Sequence, residues 1–479
     1  MRIDASNRAL VSLVLVTLAA ATYANALANG FVLDDRGIIL QHPLVQEPSS
    51  AWRAFVEPYW PRAVGSGQYR PLGIIAFALD HAVAGNTAAW FHAVNVGWHA
   101  IVTLLVYRVG LGLLAPLGAA MAAAVFAVHP VHVEAVANVV GRLELMAAAF
   151  GLGALLLHRR RHPMAIALYA AALCSKESAI VIPALAVLDD LVSGGRGDER
   201  RPARTLLAGY GIVTVAWGAL LWHALDGSPI STTSAVFADQ SLATRWRTVL
   251  TVVPHYVRLF LVPAALSSDY EPGVITPATS ITPAVLLGAV LLAGWAGIAF
   301  RAWRTDRGLA LGLCWVPVAL APVSNVLFAT GIVLAERTLY LPSVGVALLA
   351  GWMADRVPAP RRREAMALAA AVLVAAVGRT WTRTPAWHDA RTHAMALLES
   401  HPESYRGHWV AARVLDASGN IEGASREYAL ARRAYPSDPA MLREAATLES
   451  RRGDVSVARI LADSASAIAA RRALHGGDR

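Results

Sequence analysis

Residues 283–300 read PAVLLGAVLLAGWAGIAF, eighteen positions without a charge, and the run then closes on Arg301-Ala302-Trp303-Arg304. A helix needs roughly 20 apolar residues to cross the hydrocarbon core of a bilayer. The same pattern, an apolar block closed by arginine, recurs along the chain. In hydrocarbon each backbone N–H and C=O must be bonded within its own segment, so such blocks are helices. The fold class expected is therefore all-α: a polytopic membrane protein with about eleven transmembrane helices. They are placed at 9–28, 91–113, 115–129, 143–158, 163–175, 177–192, 205–224, 283–301, 308–325, 338–355 and 364–378.

Composition agrees. The chain is 56% hydrophobic and 16% charged, against about 25% charged residues in a soluble domain. The net charge of +9 is accordingly not a nucleic-acid signal, and no nucleic-acid partner is expected. The arginines gather in short connections, namely Arg159-Arg160-Arg161, 196–204, 301–307 and 356–363. Counting spans puts all four on one side with the N-terminus, and the positive-inside rule makes that side cytoplasmic. The localisation expected is a multi-pass inner-membrane protein with a cytoplasmic N-terminus. The first apolar run, although it follows Arg2 and Arg8, reads as an uncleaved helix rather than a signal peptide.

Two apolar stretches are not expected to span. Residues 72–84 are too short, and a crossing at 248–266 would put the later arginine connections outside. Both are expected as re-entrant or interfacial helices on the outer face. The outer loops are then 29–90 and 226–282 within a membrane domain of 1–380. Cys174 and Cys314 lie inside apolar stretches, which argues against a structural disulfide or a thiolate metal site.

Residues 381–479 are polar and repeat. His401-Pro402 returns as Tyr435-Pro436, Gly419-Asn420 as Gly453-Asp454 and Ala424 as Ala458, each 34 positions on. That period is the tetratricopeptide signature. A helical-repeat domain on the periplasmic or extracellular side is expected, with about two repeats resting on the membrane domain or on a helix near 387–400.

Several charged residues stand at predicted span ends on the outer face. Asp34-Asp35 follows the first span, and burial with mutual repulsion raises a carboxylate toward general-base range; a hydrophilic loop start is the plainer reading. His129, His132 and Glu134 follow the third span. They suit hydrogen-bonded interfacial groups better than a divalent-cation site, since a helix-ending Pro130 sets no metal geometry. Arg70, Arg142, Glu144, Lys176, Glu177, Glu336 and Arg337 complete the set. Lys176 is the only lysine among 42 lysines and arginines. Charges at span ends often only snorkel, but a cavity holding a carboxylate and several cations suits a lipid-linked phosphate.

The stretches Phe31-Val32-Leu33-Asp34-Asp35, Tyr69-Arg70-Pro71-Leu72, Phe91-His92-Ala93-Val94-Asn95 with His99, Phe126 to Val136, Gly141-Arg142, Ser175-Lys176-Glu177 and Glu336-Arg337-Thr338-Leu339-Tyr340 stand in an order that resembles the transmembrane and tetratricopeptide-repeat O-mannosyltransferases. The chain looks like a bacterial relative of these GT-C-fold enzymes. The resemblance implies an inverting transfer of a sugar, mannose first, from a polyprenyl-phosphate carrier to an acceptor hydroxyl on the outer face. It implies Asp34 or Asp35 as base, with Asp35 slightly preferred. It implies Arg337, Lys176, Arg142 and Arg70 on the carrier phosphate, and His129, His132, Glu134, Glu177 and Glu336 around the pocket. The partners implied are the lipid-linked donor, a protein or glycan acceptor and membrane lipid; no cofactor beyond an optional divalent cation is implied.

The chain departs from the family in having about two repeats, and a bacterial carrier would be undecaprenyl phosphate. Other readings are a flippase for a lipid-linked saccharide, which should bury charges near mid-membrane, and a non-catalytic scaffold that needs neither Asp34 nor Asp35. The topology is testable: a reporter fused after Gly378 that is active only outside the cytoplasm is expected to work, and activity of a cytoplasm-only reporter there would overturn the orientation.

Overall fold

The computed structural model of the chain describes residues 5–62, 67–193, 200–227, 233–238 and 240–476. Residues 196–199 of the arginine-rich connection, 63–66 of the first outer loop, and 228–232 and 239 of the second lie outside the described residues. Among the described residues every regular element is a helix. In order they are α1 (Ala5–Thr22), α2 (Pro71–Ala84), α3 (Ala88–Leu111), α4 (Pro116–Val128), α5 (Arg142–Arg159), α6 (Met164–Ser175), α7 (Ile182–Ser193), α8 (Arg200–Ala224) and α9 (Leu242–Leu261). There follow α10 (Pro283–Thr305), α11 (Arg307–Leu320), α12 (Ser343–Asp355), α13 (Arg362–Arg383), α14 (Ala390–Ser400), α15 (Tyr405–Ala417), α16 (Ile421–Ala434), α17 (Pro439–Arg452) and α18 (Val455–Gly476).

The chain is a multi-pass membrane protein. Among the described residues, five helical stretches are long and apolar enough to cross: Ala88–Leu111, Val139–Arg159, Arg204–Ala224, Pro283–Thr305 and Ala359–Trp387. Pro116–Val128 with Pro130–Val136 makes a sixth if the pair, bent by 48°, is one span. Pro130 sets that bend. Proline has no N–H to continue the ladder and pushes the residue before it out of the helical region, and His129 is extended, with ψ 123°. Shorter apolar helices include Asn7–Thr22, Met164–Ser175, Arg307–Val323 and Ser343–Asp355. The stretch expected to be interfacial at 72–84 is helix α2, also short and apolar. The one expected at 248–266 is α9, which starts earlier and carries Arg245, Arg247 and Arg258.

The core forms where α3, α4, α5, α6, α7, α11 and α12 meet, around Val102, Phe126, Leu145, Leu152, Tyr169, Leu185, Trp315 and Tyr340. The stretch containing α5 is its centre, with 78% of its apolar window buried, whereas those of α10 and α13 bury 11% and 6% and present apolar faces outward. Such faces are stable only against lipid. Close helix approach needs small residues here. A Cβ on Gly351 of α12 would meet the Gly118 carbonyl of α4 at 2.3 Å, and one on Gly288 of α10 would meet the Leu250 carbonyl of α9 at 1.8 Å. Across the first of these contacts, the Asp355 carboxylate accepts from the N–H groups of Ala115 and Gly118 at 2.7 and 2.8 Å. It thus satisfies free donors at the N-terminus of a neighbouring helix.

The tail forms two helical hairpins. Helices begin at Tyr405 and Ile421 and again at Pro439 and Val455, 34 residues further on. Gly419 and Gly453, at φ 80° and 93°, make the turn in each hairpin, a conformation that costs glycine least. Ala412, Ala424, Tyr428, Met441, Leu448 and Leu461 pack between them. The preceding helix α14 packs on α15, and its neighbour Trp387 is buried in the core of the membrane portion.

Candidate active site

The charges expected on the outer face are assembled from helix ends. Arg70 is the residue before α2, Glu144 lies in the first turn of α5, Lys176 ends α6, and Arg337 sits in a single turn before α12. Each cation has a carboxylate partner. Arg70 holds Glu177 through two bonds of 2.9 and 2.5 Å, with its guanidinium 5.1 Å from the centre of the Tyr59 ring. Lys176 Nζ donates to Glu144 Oε1 at 2.5 Å. Arg337 is held twice by Glu134, through its guanidinium and through its backbone N–H at 2.8 Å.

Lys176 lies within electrostatic range of Arg70, Glu177 and Arg337, so the pairs form one cluster. Arg337 is its most accessible cation, with 26% of the side chain exposed against 10% for Arg70 and Lys176. Burial pulls the Arg337 guanidinium down, but the carboxylates of Glu134, Asp34 and Glu144 outweigh it and hold it above its ordinary value.

The two adjacent aspartates part company. Leu33 takes a left-handed conformation, φ 51°, unusual for a residue with a branched side chain and costly by about 1–2 kcal/mol. The turn leaves Asp34 exposed and sends Asp35 inward. There the Asp35 carboxylate accepts from the N–H groups of Val32, Val140 and Val139 at 3.2, 2.8 and 3.4 Å, stitching the first outer loop to the turn before α5. Burial pushes its carboxyl up to about 7 against the pull of those donors. The oxygens of Asp35 are occupied by backbone donors, whereas the exposed Asp34 lies within electrostatic range of Arg337.

Three other expected site residues also turn inward. Arg142 is fully buried and spends its guanidinium on Asn95 Oδ1 and the Phe91 carbonyl, each at 2.8 Å, and on Asp80. Its full burial and these three bonds hold it away from a phosphate. His129 accepts from Val131 N–H on Nδ1 and donates through Nε2 to the Phe260 carbonyl at 3.1 Å, closing the bend at Pro130. Glu336 points away from Arg337 and accepts from Ser267 N–H at 2.6 Å and Tyr270 Oη–H at 2.7 Å. Burial pushes Glu336 up to about 8, with Arg383 opposing.

His132 donates to Ser343 Oγ at 2.7 Å within an aromatic nest of Phe126 and Tyr340. His129, His132 and Glu134 therefore aim at three different partners. Among the described residues no cluster of three or more His, Cys, Asp and Glu side chains is arranged to hold a metal ion.

Two residues of the arrangement were missed in the sequence. Tyr59 carried no signal in a loop of mixed composition. Asp80 did carry one, an acid inside the otherwise apolar stretch 72–84, because a charge in such a helix needs a partner. Asp80→Ala is expected to lower unfolding stability by about 3–5 kcal/mol by stranding Arg142. The combined replacement Asp80→Leu with Arg142→Met should recover much of the loss; thermal unfolding in detergent micelles checks both.

No protein-family model matches the chain. Among curated proteins it is 26% identical over 431 residues to Protein O-mannosyl-transferase F38B6.6 of Caenorhabditis elegans, covering 87% of this chain and 61% of that protein. It is 25% identical over 468 residues to Protein O-mannosyl-transferase TMTC3 of Homo sapiens, covering 88% and 51%. To Protein O-mannosyl-transferase Tmtc2 of Drosophila melanogaster it is 34% identical over 309 residues, 59% of this chain and 32% of that protein. The chain thus spans about half to three fifths of the length of the first two. Among solved structures, ArnT from Cupriavidus metallidurans bound to undecaprenyl phosphate aligns with 97% of this chain and 76% of its own, at a TM-score of 0.44 and 14% identity, a slight likeness. By sequence over most of its length, the chain is a homologue of the protein O-mannosyl-transferases.

Proposed function

We propose that the chain is an inverting glycosyltransferase that moves a sugar, mannose in the first instance, from a polyprenyl-phosphate carrier to an acceptor hydroxyl of a protein or glycan. The reaction would take place on the extracytoplasmic side of the inner membrane, with the N-terminus cytoplasmic and the helical tail outside. The observation that carries this reading is the gathering of three cations at helix ends, Arg70, Lys176 and Arg337, of which Arg337 is the most accessible and lies within electrostatic range of the exposed Asp34. The names of the homologues support the class of reaction. Placement of the charges at helix ends favours it over transport, which would put them on interrupted helices near mid-membrane.

In the mechanism proposed, Asp34 takes the proton of the acceptor hydroxyl as its oxygen attacks the anomeric carbon. The bond from that carbon to the phosphate oxygen breaks on the opposite side, so configuration inverts. Polyprenyl phosphate leaves with one more negative charge than it carried as the sugar diester. Arg337, backed by Lys176 and Arg70, stabilises that charge in a site where water competes little. The carboxylates of Glu134, Glu144 and Glu177 keep the three cations in place before substrate arrives, so little reorganisation accompanies the transfer. Asp35 and Arg142 hold the scaffold.

The test is transfer of labelled mannose from polyprenyl-phosphate-mannose by purified protein, with membrane extract as acceptor. Asp34→Asn is expected to slow transfer by about 10²–10⁴-fold, the range of a general base. Arg337→Ala is expected to slow it by about 10²–10³-fold, as for loss of a charge-stabilising donor. Undiminished transfer by a folded Asp34→Asn protein would remove the mechanism.

A further inference from the structure

The single turn that bears Arg337 is fastened from behind, and the fastening runs to the tail. Glu336, next to Arg337, is gripped by Ser267 and Tyr270 of the second outer loop. Three residues earlier, Val333 N–H is bonded to Glu271 of the same loop. That loop in turn lies against the first helices of the tail. Ser404 Oγ donates to Asp269 Oδ2 at 2.9 Å, Ser400 Oγ to the Leu266 carbonyl at 3.1 Å, and Ser268 Oγ pairs with His393 Nε2 at 3.0 Å. Gly273, at φ 115°, brings its backbone so near Glu403 that a Cβ would lie 2.7 Å from the Glu403 carbonyl oxygen. Asp269, Tyr270, Ser404 and Glu336 are all buried, so these bonds form away from bulk water, where an unmade partner is costly.

We propose that Tyr270 and Ser404 are positioning residues for Arg337: docking of the tail on residues 266–273 sets the turn 333–337, and through it the cation assigned to the carrier phosphate. The role assigned to Arg337 rests on the glycosyltransferase reading above. The mechanical coupling does not. Removing one tail contact should loosen a turn whose own contacts with Glu134 are untouched, and the loss should fall on kcat/KM for the lipid-linked donor.

The experiment has two arms on the full-length protein in detergent, with Tyr270→Phe, Ser404→Ala and Ser404→Thr. Hydrogen exchange at 333–337 reads the coupling without any substrate. Tyr270→Phe and Ser404→Ala are expected to speed exchange there about tenfold, equivalent to about 1.4 kcal/mol of local opening. Exchange around Asp35 should not change, and Ser404→Thr, which keeps the hydroxyl, should exchange like the native protein. In the transfer assay the same two variants are expected to lower kcat/KM for polyprenyl-phosphate-mannose about tenfold, the loss of transition-state stabilisation by a less well placed Arg337, with Ser404→Thr close to native.

Native exchange at 333–337 in folded Tyr270→Phe and Ser404→Ala proteins would overturn the coupling, and so would a failure of Ser404→Thr to restore it. Faster exchange in a protein whose native form transfers no sugar would uphold the coupling and refute the glycosyltransferase reading. Faster exchange with kcat/KM unchanged would refute Arg337 as the group so positioned.

Discussion

A guanidinium enclosed among apolar helices is tolerable only with an anion against it, because the Born cost of an isolated charge in so poor a dielectric far exceeds anything packing returns. That constraint organises this protein. Arg142, fully buried at the start of the central helix, draws in Asp80 from the short helix α2, together with Asn95 and the Phe91 carbonyl from α3. Three helices are thereby locked at one end. The same requirement pairs Arg70 with Glu177, Lys176 with Glu144 and Arg337 with Glu134, joining segments far apart in sequence. Each pair is a site where the fold accepts desolvation and recovers it through geometry.

The pairs differ in what they leave over. Arg142 is fully buried with bonds from all three guanidinium nitrogens, and serves the fold. Arg337 keeps a partly exposed face, and the neighbouring Asp34 is free of the backbone bonds that occupy Asp35. A cation with residual accessibility within electrostatic range of an exposed carboxylate is the feature on which the proposed site rests. The backbone at Leu33 makes the difference, since one left-handed residue sends consecutive aspartates in opposite directions.

Much of the fold was legible because the solvent enforces it. A run such as 283–300 has few alternatives to a lipid-facing helix, and α10 occupies it. The tail was legible through its 34-residue period and its two turn glycines. The short helix α2 was harder to place, since 14 residues fall between the lengths that signal a span and a loop. At the site, the gathering of Arg70, Lys176, Glu134, Glu177 and Arg337 was readable as a set, because all stand at ends of apolar blocks. Their roles were not. Whether Arg142 is free or spent depends on Asp80, 62 positions earlier, and whether Glu336 lines a pocket or anchors a loop depends on Tyr270, 66 positions earlier. Such pairings are settled by tertiary packing, which local sequence does not encode.

The central claim is that the outer-face cluster around Arg337 receives a lipid-linked phosphate. The most direct measurement is an experimental structure of the full chain in a lipid nanodisc with bound polyprenyl phosphate. The account predicts the phosphate within roughly 3 Å of the Arg337 guanidinium, the distance of a charge-assisted hydrogen bond, on the side facing Asp34. A phosphate seated instead beside the Arg159-Arg160-Arg161 connection, or in the interior between helices, would contradict it.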